Sequence, residues 1–320
     1  MSNRRLLRRG TPGSPARPAE AGDLRQSTPE FGTAAAMVPP TQRVDPAEPN
    51  AAARDGEESW SPLPVFGLPL APFTLDRAVE QVERLLLRKQ PAFVITANLN
   101  YAMLAAKDAR LCKVNNEAAF VLADGMPLVW ASRLNGTPLP CRVAGADLVP
   151  ALCALAARRG YGVFLLGAAP GVAAEAARLL CKAYPGLLIA GIEAPEFHVL
   201  SAQETEAMKH RIRDSQGRLL LLAMGQPGGE LWLAQHYRDL GNMVCMQLGA
   251  SLDFAAGRVA RAPRWMQKTG LEWVYRLRLE PRRMFGRYAR NAIFLARMLW
   301  RGTLARAARR KSKPSDLTTH

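Results

Sequence analysis

The stretch AFVITANLNYAMLAAKDARLCKVNNEAAFVLADG (residues 92–125) decides the fold. It contains two short apolar runs, Phe93–Thr96 and Phe120–Ala123, on either side of a segment with helical periodicity over residues 99–116. Strands this uniformly apolar are typical of a sheet covered on both faces, so the stretch predicts a parallel strand–helix–strand unit. Polar residues follow each run, where the strands are expected to end.

The same alternation continues to about residue 260. Further strand-like runs are Val163–Leu166, Leu187–Ile192, Leu219–Met224 and Met243–Leu248. Further helical patterns lie near residues 74–89, 146–159, 171–183, 201–215 and 228–240. We therefore predict an α/β fold, a mostly parallel Rossmann-like sheet with helices on both faces, followed by a basic C-terminal helical appendage. Ligands of such sheets bind beyond the carboxyl ends of the strands.

The net charge of +16 is concentrated near the C-terminus. Residues 261–320 carry sixteen basic and three acidic side chains, whereas residues 1–59 carry eight of each. The N-terminal segment is rich in Pro, Ala and Gly and is predicted to be disordered, since it can bury little apolar surface. The predicted parts are a disordered extension (1–60), an α/β domain (61–260), a membrane-associating helical appendage (261–310) and a disordered tail (311–320).

Arginines and apolar residues separate onto two sides of a C-terminal helix. At 100° per residue, one arc holds Arg283, Arg287, Arg290, Arg297 and Arg301. The opposite side holds Phe285, Tyr288, Ala292, Leu295 and Leu299. This pattern favours a helix lying in a membrane interface. The alternative is a helix docked on the domain with a solvated arginine face. The sequence contains no run of about 18 uncharged apolar residues, so it predicts no helix that spans a membrane.

Candidate catalytic groups follow the first two strands. Asp124 comes directly after a strand and could accept a proton from an attacking hydroxyl. The alternative, which the position of Asp124 taken alone favours, is that it caps the helix that begins near Met126. Thr96 and Asn98 end the preceding strand and offer a hydroxyl and an amide, with capping of the next helix as the alternative reading.

Two glycine-containing loops, Gly167–Gly171 and Gly225–Glu230, follow later strands. Backbone N–H groups there could approach a phosphate at a helix N-terminus, or the loops could be plain tight turns. Neither reads GxGxxG, which disfavours a dinucleotide oxidoreductase. The folded region has no DxD motif and no His or Cys cluster, so we expect no metal site. The C-terminal arginines are then the cations available to a departing diphosphate.

Six short motifs follow one another along the chain in an order that is typical of a known family. They are Thr96-Ala97-Asn98, Ala123-Asp124-Gly125, Arg142–Leu148, Arg261–Met266, Gly270–Trp273 and Glu280–Arg283. Over roughly residues 63–290 the chain resembles the WecG/TagA/CpsF family of bacterial glycosyltransferases. The resemblance implies an inverting, metal-independent transfer from a UDP-sugar to an undecaprenyl-diphosphate-linked acceptor in cell-surface polysaccharide synthesis. It also implies a cytoplasmic protein, peripheral on the inner face of the bacterial cytoplasmic membrane, that needs no cofactor.

The resemblance also implies roles for particular residues. Asp124 matches a proposed general base, with Thr96 and Asn98 as the polar pair beside it. Arg276 and Arg283 match arginines thought to reach the donor diphosphate, and Arg287 lies next to a third such position. The full set assigned to donor and nucleotide binding is Arg142, Gly167, Gly171, Gly225, Gln226, Pro227, Glu230, Arg276, Arg283 and Arg287.

Two departures from the family pattern bear on function. The usual Gly-x-Pro-Lys-Gln-Glu reads here Gly225-Gln226-Pro227-Gly228-Gly229-Glu230, without the Lys and Gln, and Cys141 replaces a Glu before Arg142. An alternative is therefore a catalytically degenerate α/β protein that binds anionic membrane or nucleic acid through its basic C-terminus. The near-neutral body and the lack of stacking platforms disfavour nucleic acid. The expected partners are a UDP-sugar, a polyprenyl-diphosphate-linked sugar and an anionic membrane surface, and the sequence leaves a homo-oligomer open.

Overall fold

The computed structural model describes residues 60–311, with side chains for residues 60–300 except Arg283. The predicted N-terminal extension (1–60) and C-terminal tail (311–320) lie outside the described residues, apart from Trp60 and the Lys311 backbone. Trp60 packs edge-on against Phe73, with ring centroids 4.8 Å apart. The first described residue is therefore already part of the packed body.

Eight strands form one sheet in the order β1-β2-β4-β3-β8-β7-β5-β6. They are β1 Leu63–Val65, β2 Leu68–Leu70, β3 Ala92–Ala97, β4 Phe120–Ala123, β5 Gly162–Gly167, β6 Leu188–Glu193, β7 Leu219–Ala223 and β8 Val244–Gln247. The first two pair antiparallel, and the remaining neighbours pair parallel. The predicted mostly parallel α/β fold is confirmed.

Helices connect the strands and extend the chain beyond them. They are α1 Leu75–Arg88, α2 Leu99–Ala105, α3 Ala109–Glu117, α4 Met126–Leu134, α5 Gly145–Arg159, α6 Val172–Ala183, α7 Ala202–Asp214, α8 Gly228–His236, α9 Ser251–Ala255, α10 Arg264–Thr269, α11 Glu272–Leu279 and α12 Pro281–Lys311. Thr74 caps α1 by accepting from the Arg77 N–H, with Asp76 in the first turn. Such acidic and hydroxyl groups stabilise a helix N-terminus.

Three of the differences between the predicted and the observed elements concern helix ends and short strands. The helix predicted over 99–116 is two helices, because Asp108 starts α3 by accepting from the Arg110 N–H at 2.9 Å. The helix predicted over 228–240 ends at His236 and continues as the 3₁₀ turn Tyr237–Leu240. Strands β1 and β2 were not predicted, since each is three residues long and contains a proline.

Alternate residues of the central strands pack into two separate cores, one on each face of the sheet. Along β3, Val94 belongs to the core beneath α1, α5 and α6, whereas Phe93 and Ile95 belong to the core beneath α2, α3 and α8. Leu221 and Leu222 divide in the same way along β7. Both faces are buried, which explains why these strands read as uninterrupted apolar runs.

The strand order creates a crevice at one edge of the sheet. The chain passes from β3 to β4 on one side, then crosses to β5 and β6 and returns through β7 and β8. The direction of winding changes beside β3, and ligands of doubly wound sheets bind outside the carboxyl ends of the strands at such a point.

The last helix, α12, docks on the body of the protein. The face that it buries overlaps only in part with the apolar side predicted from the sequence. Met284 and Asn291 are buried on α12, and Phe294 packs edge-on against Phe66 at 5.8 Å. Tyr288 and Leu295, predicted for the membrane-facing side, are half-buried against the cleft described below instead. Phe285, Ala292 and Leu299 from the same predicted side remain exposed, as do Arg290 and Arg297. The docked-helix alternative therefore describes the inward face, while an apolar strip stays at the surface. The Arg301 side chain lies outside the described residues.

Among residues 60–311, no helix has the length and hydropathy needed to cross a membrane.

Candidate active site

A cleft of about 1220 Å³ lies beyond the carboxyl ends of β3, β4, β7 and β8, and α11 and α12 form its opposite wall. Predicted site residues that line it are Thr96, Asn98, Asp124, Arg142, Gly225, Gln226, Arg276 and Arg287. Predicted site residues that do not line it are Gly167, Gly171, Pro227 and Glu230. The Arg283 side chain lies outside the described residues.

Asp124 lies in the cleft at the end of β4, beside the N-terminus of α5. Burial raises the pKa of its carboxyl to about 7. The charge of Arg142 and the Gly145 backbone N–H oppose this increase, whereas the charges of Glu272 and Asp147 add to it. A carboxylate that titrates near neutral pH can accept a proton at the pH where the protein works.

The competing role for Asp124, a cap for the following helix, is not observed. Gly125 is the N-cap of α4, and no side chain makes a capping hydrogen bond there. Asp124 instead accepts a hydrogen bond from the backbone N–H of Gly145, the first residue of α5, which closely approaches the segment between β8 and α9. A Cβ at Gly145 would lie 2.5 Å from Ser251 Oγ and 3.0 Å from the Leu248 carbonyl oxygen. Only glycine lets the N-terminus of α5 come this near.

Thr96 and Asn98 have different local partners. The buried Thr96 hydroxyl donates to the Gln247 carbonyl at 2.9 Å, which joins the ends of β3 and β8. Asn98 caps α2, its side-chain oxygen accepting from the Tyr101 N–H at 3.1 Å. The capping alternative is thus correct for Asn98, which also lines the cleft, and wrong for Thr96.

Arg142 belongs to a closed set of four charges, Arg142, Asp147, Arg261 and Glu272, which we call the ion-pair ring. Arg142 contacts Glu272 at 2.5 Å and Asp147 at 3.5 Å. Arg261 contacts Asp147 at 3.0 Å and Glu272 at 3.5 Å. The Arg142 and Glu272 side chains are only 14% and 17% exposed. Ion pairs shielded from water to this extent hold their partners in place more firmly than surface pairs do.

The wall formed by α11 and α12 brings further arginines to the cleft. Arg276 lies over the Phe254 ring, 5.3 Å from its centroid, and its buried Nε has no hydrogen-bond partner among the described residues. Arg287 is half-buried and lines the same wall, and the exposed Arg290 lies further along it. Guanidinium groups in such a setting are suited to a diphosphate.

The loop Gly167–Gly171 is explained largely by packing. A Cβ at Gly167 would lie 2.5 Å from the Ala223 carbonyl oxygen, and its φ is +90°, so a close approach to β7 requires glycine there. Gly171, with φ +77°, is the N-cap of α6. Ala168 and Ala169, between them, are the residues that line the cleft.

The loop Gly225–Glu230 contributes a contact and a buried acid. Gln226 Oε1 accepts from Asn100 Nδ2 at 3.2 Å within the cleft wall. Glu230 is fully buried in the first turn of α8, and burial raises the pKa of its carboxyl to about 7. A Cβ at Gly229 would collide with the Gln247 amide, so this loop packs without the side chain that the family usually carries there.

Among the cleft residues that the sequence analysis did not single out are Asp253, Glu272 and Trp130. Glu272 stands in the Gly270–Trp273 motif, which could have marked it. Asp253 follows β8, the one central strand whose downstream polar residues were not considered. Trp130 lies on α4, and nothing in its sequence context marks it. Within the described part of the chain, no three His, Cys, Asp or Glu side chains are grouped as metal ligands would be.

The chain belongs to the glycosyl transferase WecG/TagA/CpsF family, whose profile matches residues 63–309.

Two similar proteins are named as N-acetylglucosaminyldiphosphoundecaprenol N-acetyl-beta-D-mannosaminyltransferases. One, from Bacillus spizizenii, is 34% identical over 192 residues, which cover 60% of this chain and 73% of the relative. The other, from Bacillus subtilis, is 31% identical over 194 residues, which cover 61% and 74%.

Proposed function

We propose that this glycosyltransferase moves a sugar from a UDP-sugar to an undecaprenyl-diphosphate-linked acceptor, with inversion and without a metal ion. The observation that carries the proposal is Asp124, a carboxyl with a pKa raised to about 7 by burial, in one cleft with arginines from the C-terminal helices. This arrangement offers a proton acceptor on one wall and positive charge on the other. Transfer from an anionic donor to a hydroxyl needs both.

The proposed reaction is a single displacement. The acceptor hydroxyl oxygen bonds to the anomeric carbon of the donor sugar while the bond from that carbon to the phosphate oxygen breaks. The hydroxyl proton passes to Asp124, and the electron pair of the broken bond leaves with UDP. Attack opposite the leaving group inverts the anomeric configuration. General-base catalysis of this kind contributes about 10²–10⁴-fold to a rate.

We propose that Arg276 and Arg287 stabilise the negative charge that develops on the departing UDP. Arg276 has a buried Nε without a hydrogen-bond partner among the described residues, which is a donor available to a ligand oxygen. Groups already fixed where charge develops stabilise a transition state more than mobile ones do. Thr96 and Asn98 stand beside the base and define the edge of the acceptor subsite in this proposal.

A lipid-linked acceptor also accounts for the outer surface of the C-terminal helices. Large apolar side chains are exposed there, among them Trp265, Trp273, Phe285, Ile293 and Trp300. Basic residues accompany them, as in helices that lie on anionic membranes. The names of the two relatives contain such an acceptor, N-acetylglucosaminyldiphosphoundecaprenol. We place the protein peripherally at the inner face of the cytoplasmic membrane on this basis.

A degenerate, purely binding protein is the second candidate, and the altered loop Gly228-Gly229 favours it. Against it, the loop still contributes Gly225 and Gln226 to the cleft, and Gln226 contacts Asn100. We therefore propose that the altered loop changes which donor is accepted rather than abolishing transfer.

The test is a transfer assay with the full-length protein, a panel of UDP-sugars and a short-chain polyprenyl-diphosphate-N-acetylglucosamine acceptor. UDP-N-acetylmannosamine enters the panel because of the relatives' names. We expect one donor to give an acceptor heavier by one sugar residue, with one UDP released per product. Binding of acceptor-containing liposomes without product from any donor would support the degenerate alternative instead.

A further inference from the structure

The positive charge of Arg142 is the strongest influence that lowers the Asp124 pKa, yet Arg142 forms its ion pairs with other carboxylates. Its guanidinium contacts Glu272 Oε2 at 2.5 Å and Asp147 Oδ2 at 3.5 Å. Among the described ion pairs, none joins Arg142 to Asp124. The arginine is therefore held within the ion-pair ring, close enough to influence Asp124 but engaged with other carboxylates.

Glu272 is the member of the ion-pair ring that comes from the C-terminal helices, as the first residue of α11. Its position depends on Gly270, which lies against α4. A Cβ at Gly270 would lie 2.6 Å from the Trp130 ring and 2.7 Å from Met126 Cβ, and the Gly270 φ is +77°. Because Glu272 is the first residue of α11, the Arg142–Glu272 pair can form only when α11 is docked on the body.

We propose that Glu272 is a positioning residue that keeps the Arg142 guanidinium away from the Asp124 carboxyl, so that Asp124 becomes an effective base only when α11 is docked. The proposal rests on the function proposed above, in which Asp124 accepts the acceptor proton. It assigns to the C-terminal helices a role on the base itself, in addition to supplying arginines for the leaving group.

The charges around Asp124 determine the sign of the effect. Those that act on it are Arg142 from the loop before α5, Asp147 from α5 and Glu272 from α11. Asp253, Arg276, Arg287 and Arg290 line the same cleft. Loss of Glu272 removes a negative charge that raises the Asp124 pKa, and it frees Arg142, whose charge lowers that pKa, from the shorter of its two ion pairs. Both changes make Asp124 a weaker base, so an undocked segment leaves the enzyme with a poor proton acceptor.

The test is the pH profile of kcat/KM for Glu272→Gln with a water-soluble acceptor analogue. The wild-type profile should have an acid limb with a midpoint near 7, set by Asp124. In Glu272→Gln the midpoint should move by about one pH unit toward acid, the size expected when a charge within a few ångströms changes. A purely structural role would lower the rate at every pH and leave the midpoint in place.

Two further variants show whether the effect passes through Arg142 and depends on charge. In an Arg142→Gln background, Glu272→Gln should shift the midpoint by much less. Glu272→Asp keeps the charge and should keep the midpoint within about 0.3 pH unit, a small part of the shift expected from charge loss. If it moves the midpoint as far as Glu272→Gln, the proposal is overturned.

A matched control is Glu83→Gln, because Glu83 pairs with Arg159 at the same distance of 2.5 Å but away from the cleft. It should leave the profile unchanged. An unmoved midpoint in Glu272→Gln, together with loss of turnover in Asp124→Asn, would overturn this inference and leave the proposed function standing. Full turnover in Asp124→Asn would overturn the role of Asp124 as the base, and absence of transfer by the wild type with every donor would remove the proposed function itself.

Discussion

Asp124 shows how a single buried carboxyl reduces the stability of the fold that holds it. Its pKa is about 7 in the folded protein against an ordinary value of 3.8, so the native state binds the proton more tightly than the unfolded chain does. The free energy of unfolding must therefore fall as pH rises from about 4 to about 7, and the full penalty is present above pH 7. Sites tuned for chemistry commonly reduce stability in this way.

Asp124→Asn should consequently raise the melting temperature at pH 8, by at least about 2 °C for a domain of this size. Asparagine has a similar shape and no charge to bury. The gain should shrink as the pH is lowered toward 5, where Asp124 is protonated in the folded protein. Thermal melts of both proteins across this range measure the difference. A gain that is the same at pH 8 and pH 5 would mean that the charge of Asp124 is not its source.

Gly270 is the residue on which docking of α11 depends, and Gly270→Ala should lower turnover by at least about tenfold. The added methyl group collides with Trp130 and Met126 and displaces Glu272 and Arg276. Displacements of about 1 Å in positioning groups can reduce rates about 100-fold. Steady-state kinetics with a soluble acceptor measure the loss.

Gly257→Ala is the matched control for that variant. Gly257 has a similar φ of +68°, but nothing lies within 4 Å of a Cβ there. Both variants therefore carry the same kind of backbone strain, roughly 1–2 kcal/mol for an L-residue in this conformation. Equal losses of activity in the two variants would show that strain, rather than the position of α11, is responsible.

At the level of elements, the positions of the central strands could be predicted from their apolar periodicity, whereas the way in which α12 docks on the body could not. The strands β3, β4, β5 and β7 lie where the apolar runs placed them, because each is buried on both faces. The break between α2 and α3 was missed because capping by Asp108 is a local hydrogen bond with no effect on the apolar period. The inward face of α12 was misjudged because a helical wheel does not show which apolar residues meet a partner within the protein.

The C-terminal helices should have two separable roles, catalysis and membrane binding. Truncation after about Leu271 removes Glu272, Arg276 and Arg287, together with the exposed aromatic side chains of α11 and α12. We expect the truncated protein to stay in the soluble fraction after lysis and to lose transfer to a water-soluble acceptor. If it turned over that acceptor at the full-length rate, the segment would be only an anchor.

Exposed arginines outside the cleft allow the membrane role to be tested alone. Arg278 and Arg297 are both exposed and do not line the cleft. Replacing each with Gln should weaken binding to anionic liposomes by about fivefold, from roughly 1 kcal/mol per basic residue near the surface. The effect should be larger at low salt. Transfer to the soluble acceptor should be unchanged, and a parallel loss of transfer would contradict the separation of roles.

For the molecule as a whole, the sequence predicted the fold class and pointed to the carboxyl ends of β3, β4 and β7, where the cleft lies, because residues at parallel strand ends meet at one edge of a sheet. Thr96, Asn98, Asp124 and Gln226 came together in this way. The ion-pair ring could not be predicted, since Arg142 and Glu272 are far apart in the chain and meet only when α11 docks. Gly167 and Glu230 were assigned to the ligand from loop patterns, but close packing and burial account for them.

Metal independence is a property of the whole reaction and remains a prediction. Activity of the full-length enzyme should persist in excess EDTA, because in this proposal arginine side chains, rather than a metal ion, stabilise the negative charge of the departing diphosphate. The measurement is the initial rate of transfer before and after chelation. Loss of activity with EDTA and its return with Mg²⁺ or Mn²⁺ would show that arginines alone do not stabilise the leaving group.

We propose above that Asp124 accepts the proton during sugar transfer to a lipid-linked acceptor. Turnover by Asp124→Asn, measured with the full-length protein, the UDP-sugar that supports transfer and the polyprenyl-diphosphate-linked acceptor, tests it most directly. We predict a fall of about 10²–10⁴-fold while the variant remains folded. Turnover by folded Asp124→Asn at the wild-type rate would contradict the account.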